Sequence, residues 1–376
     1  MFGKPDIGED EIAEVVDSLR SGWIGKGPKT ARFEEDFRKY KGAGFAIGVN
    51  SCTAALHVSL LAAGIGPGDE VITTCMTFCA TVNAIIHTGA TPVIVDCLAS
   101  DQCIDPEAIE ARITPRTRAI IPVHFAGNAC DMDSIMAIAS KHRLIVIEDC
   151  AHAIETLYKG KPAGTFGTFG CFSFYVTKNM ATAEGGMVIT DDARYVDHLR
   201  SVSLHGMSAD AWKRFTDDGY RHYQVVEAGF KYNMFDLQAA IGIHQLKNLE
   251  KKWQRRAALW KRYQEELADL PLGLPTEPLP YVRHAYHLFY LTLEEGHSPI
   301  SRDRFLSLMH DRGIGTGVHY QSLAVHPFYQ QKYGWQPQDY PNSQRFGEST
   351  ASIPFSSSLS DEEVNYIFKS IRDILL

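Results

Sequence analysis

Between residues 45 and 190 the chain alternates short, continuously apolar runs with stretches of helical periodicity. FAIGV (45–49) precedes TAALHVSLLAAG, EVITT (70–74) precedes FCATVNAIIHTG, and TPVIVD (91–96) precedes DPEAIEARI. RAIIPVHF (118–125), RLIVIED (143–149), CFSFY (171–175) and GMVITD (186–191) extend the series. Strands that are apolar on both sides need cover on both faces, and the intervening helices are the crossovers that parallel pairing requires. The pattern predicts an α/β fold built on a mainly parallel sheet between helices.

A longer helical stretch runs from about Asp236 to Leu270 and is broken by Pro271 and Pro275. It predicts a boundary between a large domain, residues 1–246, and a smaller α+β domain, residues 247–376. The smaller part holds HLFYLTL (287–293), a helix opened by Ser301 and closed at Gly313, and a last helix with Ser360 and Glu363 as a capping box. The acidic, amphipathic N-terminus, roughly the first 12 residues, is expected to pack on the smaller domain. No internal repeat is present.

The chain has 376 residues, 45% hydrophobic and 22% charged, which is the balance of an ordinary folded protein. A formal net charge of −8 gives no general attraction for nucleic acid or an anionic membrane, although a local cationic pocket could still hold a phosphorylated ligand. The N-terminus lacks the basic start and apolar core of a signal peptide, and no run approaches the ~18 apolar residues of a membrane span. A cytoplasmic protein acting on small molecules is expected. The eight cysteines, Cys52, Cys75, Cys79, Cys97, Cys103, Cys130, Cys150 and Cys171, read as free thiols. Cys75 and Cys79 lack a second pair or a nearby histidine cluster, so no metal site is expected.

Ligands of such sheets sit beyond the carboxyl ends of the strands, which selects Asn50–Thr53, Thr74–Phe78, His124, Asp149–His152 and Ser173–Lys178. A lysine is usually a solvated surface charge. Partial burial at the end of a strand would lower the pKa of Lys178 and favour the neutral amine that condenses with a carbonyl. Asp149 closes a central strand. It reads equally as a helix cap or as a carboxylate that keeps a pyridine nitrogen protonated. Lysine and strand-end aspartate together are the minimum apparatus for pyridoxal phosphate (PLP). The turn Asn50-Ser51-Cys52-Thr53 opens a helix whose free N–H groups suit a phosphate, and Ser173 offers a hydroxyl. Phe78 could stack on an aromatic ring or simply pack in the core. Neither a Walker lysine nor GxGxxG is present, which counts against ATP and nicotinamide dinucleotides.

These segments, with SGWIGKGPKTARFEEDF, VIEDCAHAI, FSFYVTKNMATAEGGMVIT, KYNMFDLQAAIG and RGIGTGVHY, resemble in order the DegT/DnrJ/EryC1/StrS sugar aminotransferases, which are fold-type I PLP enzymes with a seven-stranded-type sheet. The resemblance spans essentially the whole chain. It implies that Lys178 carries PLP as a Schiff base, that Asp149 partners the pyridinium and that Phe78 stacks on the ring. It further implies that His152 lies by the ring near its phenolic oxygen, and that Cys52, Thr53 and Ser173 hold the phosphate. Asn233 matches a residue that reaches the phosphate from the other subunit, implying a homodimer with shared active sites. Trp23, Lys26, His205, His319 and Tyr320 match sugar-binding positions. Two departures stand out. Cys52 replaces a more usual glycine or alanine, and Glu155-Thr156 stands where a glycine often follows the AHA motif, without a role that the sequence reveals.

TAEGG after the lysine resembles members that aminate C4 of a nucleotide-linked 4-keto sugar, where C3-specific members tend to carry a GALGD-like stretch. The segment SPISRDRFLSLMHDRGIGTGVHY is most like enzymes of the UDP-4-amino-4-deoxy-L-arabinose synthase type. The implied donor is L-glutamate. The alternatives are a C3-specific aminotransferase and a non-catalytic PLP-binding regulatory protein. Dehydratases of the family carry histidine at the lysine position, and Lys178 argues against them.

Overall fold

A computed structural model describes residue 3, residues 5–208 and residues 223–376. The apolar runs form β1 (Phe45–Val49), β2 (Glu70–Thr74), β3 (Thr91–Val95), β4 (Thr117–Ile121) and β5 (Ile145–Asp149). After two short strands, β6 (Leu157–Tyr158) and β7 (Lys161–Pro162), come β8 (Phe169–Ser173) and β9 (Gly186–Thr190). Seven of these make one sheet in the order β1-β9-β8-β5-β4-β2-β3. All neighbours are parallel except the pairs that β9 makes with β1 and β8. All five residues of β2 and of β9 are buried, which is why these runs show no polar alternation.

The crossover helices Cys52–Ala62, Cys79–His87 and Met132–His142 start at the carboxyl ends of β1, β2 and beyond β4. Parallel strands thus gather Ser51–Thr53, Phe78 and Asp149–His152 at one edge of the sheet. On the other flank, the helix Pro28–Lys41 buries Phe33 and Phe37 against Phe172 and Phe174 in edge-to-face contacts, with centroids 5.1 to 5.5 Å apart for Phe37 and Phe174–Phe33.

The single helix expected over 236–270 is two helices, Asp236–Lys247 and Leu249–Leu267, which meet at Asn248. Asn248 (φ −91°, ψ −2°) ends the first helix and starts the second, as suits a residue of low helix propensity at a junction. Beyond it, β11 (Phe289–Thr292) pairs with β12 (Thr350–Ile353), after a two-residue β10 (Val282–Arg283) that joins β6 and β7. The helices Arg302–Asp311 and Asp361–Leu375 cover β11 and β12. Tyr263, Phe289, Phe305 and Phe368 lie in a core made only of residues after 258. Ser301 and Ser360 cap their helices as expected, the latter in a capping box with Glu363.

The N-terminal segment packs on both helices that meet at Asn248. The Asp6 backbone carbonyl accepts from Gln245 Nε2 (2.7 Å) and Lys252 Nζ (3.0 Å), and Gln245 also donates to Glu11.

Asp236 organises the approach to the site from afar. Its fully buried carboxylate accepts from the backbone N–H groups of Gly27 (2.8 Å), Lys29 (3.0 Å) and Thr30 (2.9 Å) and from the Thr30 hydroxyl (2.7 Å). It therefore caps the Pro28–Lys41 helix from a helix distant in sequence. Asp236→Ala leaves these buried donors unmet and should cost about 2–4 kcal/mol in urea unfolding, while Asp236→Asn should lose less.

Candidate active site

One pocket at the carboxyl edge of the sheet is lined by Cys52, Thr53, Phe78, Asp149, His152, Ser173, Lys178, His319 and Tyr320. Lys178 lies past the end of β8 on the loop to β9. That loop is held by Phe174 N–H to Gly185 O (2.9 Å) and Thr182 N–H to Phe174 O (2.8 Å). Burial pushes the Lys178 amine down to about 8, against the opposing pull of Cys52 and Asp149. An amine with that pKa is about one-fifth neutral near physiological pH, where an unperturbed lysine is almost wholly charged.

Asp149 ends β5 with its carboxylate facing the pocket. Burial raises its pKa, opposed by the Ala151 N–H (3.1 Å) and the Thr81 hydroxyl (2.8 Å), which donate to it. Because the Thr81 hydroxyl donates to Asp149, Thr77, 2.8 Å away, must supply the hydrogen between the two threonines. The Cys52 thiol lies 3.9 Å from the same carboxylate, and burial raises its pKa, keeping it protonated.

His152 is held in one tautomer. Its Nδ1 accepts the Ala126 N–H (3.2 Å), and burial, with Lys178 close by, depresses its pKa far below the ordinary value. The hydrogen therefore sits on Nε2, which donates to Tyr320 Oη at 3.1 Å. Tyr320, whose own pKa burial pushes up, is left with its proton free for the pocket. The two rings stack, with centroids 6.0 Å apart and an interplanar angle of 18°. Phe78, 57% exposed, presents its ring to the pocket mouth 5.8 Å from Tyr320. Burial also lowers His319, to about 4.

The donor set fits a phosphate. Ser51 caps the helix Cys52–Ala62 by accepting the Ala54 N–H (3.1 Å), which leaves the first-turn N–H groups of Cys52 and Thr53 at the open end of the helix. A Cβ at Gly186 would lie 2.4 Å from the Ser51 carbonyl and 2.7 Å from Cys52 N, so only glycine lets β9 pass under this turn. Ser173 Oγ accepts from the Tyr175 N–H (3.4 Å) and keeps its own hydrogen to give. A depressed amine, a buried carboxylate and a helix-end anion cradle converging on one pocket suit a phosphorylated pyridine aldehyde.

The other expected residues are elsewhere. Trp23 is 54% exposed and His205 is exposed. Lys26 turns inward to Glu34, 3.6 Å away. Asn233 bridges to Val49, its Nδ2 donating to Met234 O (3.1 Å) while its buried Oδ1 meets no donor among the described residues. None of the four lines the pocket within one chain. Thr77 lay within the selected Thr74–Phe78 segment without a role of its own, and sequence reasoning missed Thr81, Ala126 and His287. Thr81 had a signal, since it lies on the first turn of the helix that follows Phe78. His287 had none.

His124, Glu148 and Cys150 bring three metal-ligand atoms within 4.8 Å of one another, all buried. Glu148 there accepts from His124 Nε2 (3.1 Å) and from the N–H groups of Gly164 (2.7 Å), Phe166 (2.7 Å) and Gly167 (2.8 Å). Its oxygens are committed to the fold. All eight cysteines are free, and no helix among the described residues is long and apolar enough to cross a membrane.

The profile of the DegT/DnrJ/EryC1/StrS aminotransferase family matches residues 5–372. The spore coat polysaccharide biosynthesis protein SpsC of Bacillus subtilis is 47% identical over 379 residues, covering all of this chain and 96% of its own length. Among solved structures, a Streptococcus pneumoniae protein named as a sugar aminotransferase, Spr1654, superposes in its PMP-form with a TM-score of 0.93 at 35% identity, covering 100% and 98% of the two chains. Its PLP-form gives 0.92 at 34% identity. Helicobacter pylori PseC, an aminotransferase involved in the biosynthesis of pseudoaminic acid, gives 0.91 at 28% identity, covering 100% and 98%. The cofactor of this chain is pyridoxal phosphate.

With the amine pKa depressed to about 8, the neutral, reactive form prevails above that pH. The rate at which PLP attaches to the apoprotein should rise with pH to a midpoint near 8, whereas an unperturbed lysine would give a midpoint at about 10.4. A stopped-flow pH series with a midpoint near the unperturbed value would show that burial does not tune this amine.

Proposed function

The chain belongs to the DegT/DnrJ/EryC1/StrS aminotransferase family, and from that premise we propose that it moves an amino group from L-glutamate to C4 of a nucleotide-linked 4-keto sugar. Sugar amination with PLP is the coarse activity; donor, carbon and nucleotide are our reading. The observation that carries it is the convergence of Lys178, Asp149 and His152 on one pocket that also holds a phosphate-type cradle. PLP, when bound, supplies an aldehyde that condenses with amines and a ring that withdraws charge from the carbon attached to the nitrogen.

In this reading Lys178 Nζ is the covalent anchor. Once an amino donor displaces it, Lys178 takes the proton from the donor Cα and later delivers one to the sugar carbon. Asp149, oriented by Thr81 and Ala151, keeps the ring nitrogen protonated. Phe78 and His152 fix the ring plane. The N–H groups of Cys52 and Thr53, with the Ser173 hydroxyl, hold the phosphate. His319 and Tyr320 face the sugar, and the free proton of Tyr320 is a donor for one of its oxygens.

We assign Asn233, Trp23, Lys26 and His205 to a pocket completed by a second copy of the chain, because none lines the pocket of its own chain. Trp23, Ile24 and Phe235 are exposed apolar side chains on this face, which supports a homodimer. The choice of C4 rests on TAEGG, residues 182–186. The names of SpsC and PseC support a role in making amino sugars for a glycan. The sequence alternative of C3 amination remains the test's other outcome.

The absorbance spectrum of the purified protein tests both halves. L-Glutamate should convert the visible band to the shorter-wavelength pyridoxamine form, and a 4-keto nucleotide sugar should restore it, whereas a 3-keto nucleotide sugar should not. Restoration by the 3-keto compound alone would move the reaction to C3, and indifference to glutamate would remove the donor. Lys178→Ala should lose turnover by about 10²-fold to 10⁴-fold or more.

A further inference from the structure

Glu155 and Arg256 form an ion pair at the heart of the molecule. Each is 2% exposed, and Arg256, from the Leu249–Leu267 helix, donates through Nη2 to Glu155 Oε1. The other carboxylate oxygen accepts from Asn179 Nδ2 at 3.0 Å. The second hydrogen of that amide goes to Ala285 O at 2.9 Å. Asn179 Oδ1 is then left as an acceptor, 3.0 Å from His287 Nδ1, so the hydrogen of His287 sits on Nδ1. The His287 ring packs on His152 with centroids 4.4 Å apart and an angle of 38°. Asn179 is the neighbour of Lys178, and both, with Arg256 and His287, line a second cavity that meets the lysine.

Apolar residues of similar volume often stabilise a core as well as a buried ion pair does, so stability alone does not call for these charges. They provide a directional acceptor, which an apolar pair lacks. A glycine at position 155, as the family motif leads one to expect, would leave Arg256 unpaired and Asn179 without this partner.

We propose that Glu155 and Arg256 are positioning residues for the amination: the pair orients Asn179, which fixes the backbone beside Lys178 and sets the His287 ring against His152. The proposal rests on the reading of Lys178 as the lysine that carries the cofactor. It also gives the C-terminal part of the chain, through Arg256 and His287, a direct hold on the geometry of the lysine loop.

Two variants separate positioning from stability. Glu155→Met combined with Arg256→Met removes both charges, and Asn179→Ala keeps the pair but cuts its link to Lys178. Three quantities are read: apoprotein melting, visible circular dichroism of the PLP-loaded protein, and the single-turnover rate with L-glutamate against its half-saturating concentration. Both variants should melt within a few degrees of the parent and show a weakened visible dichroism band. Their single-turnover rate should fall on the order of 10-fold to 100-fold with little change in half-saturation. Parental dichroism and rate in both, whatever the melting temperature, would overturn the proposal. If the double variant does not fold, Asn179→Ala decides alone, and the dichroism reading needs no amino donor. Lys178→Ala in the same series tests the underlying reading separately. PLP left covalently attached to Lys178→Ala after borohydride reduction would show that another lysine carries the cofactor, whereas a failure confined to residues 155, 179 and 256 leaves Lys178 in place.

Discussion

Everything at this site depends on holding an amine and a carboxylate at the same dry edge of one sheet while giving them different charge states, the amine neutral and the carboxylate ionised. Burial alone pushes both toward neutrality: it lowers Lys178 and raises Asp149. The structure counters that push with hydrogen bonds, which offset part of the burial that raises Asp149. Asp149 accepts from Thr81 and from the Ala151 N–H, which favour its charged form, whereas no acceptor of this kind holds Lys178 Nζ among the described residues. The amine is therefore free to lose its proton, and the carboxylate has reason to keep its charge. Thr77 reinforces the arrangement by fixing which way the Thr81 hydroxyl points.

The strands were legible because parallel strands covered on both faces must be written as continuous apolar runs, and their carboxyl ends then select the site. Lys178, Asp149, His152 and Phe78 emerge from that rule with little help. Thr53 and Cys52 follow from the strand-to-helix turn. The rest was hidden for physical reasons. The two-residue strands β6, β7 and β10 are too short to show a period. The break at Asn248 is a single junction residue inside an otherwise continuous helical pattern. His287 and Arg256 act through contacts with residues more than a hundred positions away, and nothing local marks them. Glu155 was visible as an oddity in its motif but could not be interpreted without its partner.

The same long-range character limits what one chain can build. Asp236 caps the helix behind the loop of Trp23 and Lys26, and Asn233 lies nearby against β1, so these elements form one face around the entry of the phosphate turn. Yet Lys26 is turned to Glu34, and the buried Asn233 oxygen meets no donor among the described residues. A face with exposed Trp23, Ile24 and Phe235 beside such groups is the kind of surface that a second copy completes, in keeping with the proposed shared sites.

Three carboxylates within a few residues show how far surroundings decide what one functional group does. Glu148 and Asp149 are successive residues of β5, so the pleat sends them to opposite faces. Burial would raise Glu148, but His124 and the N–H groups of Gly167 and Gly164 outweigh it and hold its carboxyl below the ordinary value. With that many donors it is a fixed charge, and it knits the turn at Gly164–Gly167 to the sheet. Asp149 has fewer donors and opens on the pocket, so it stays responsive to a ligand. Glu155 is raised by burial against the opposing Arg256 and Asn179, and its oxygens join the Leu249–Leu267 helix to the lysine loop. A carboxylate in such a fold is a scaffold, a site group or a strut according to how many N–H donors face it and whether any face remains open.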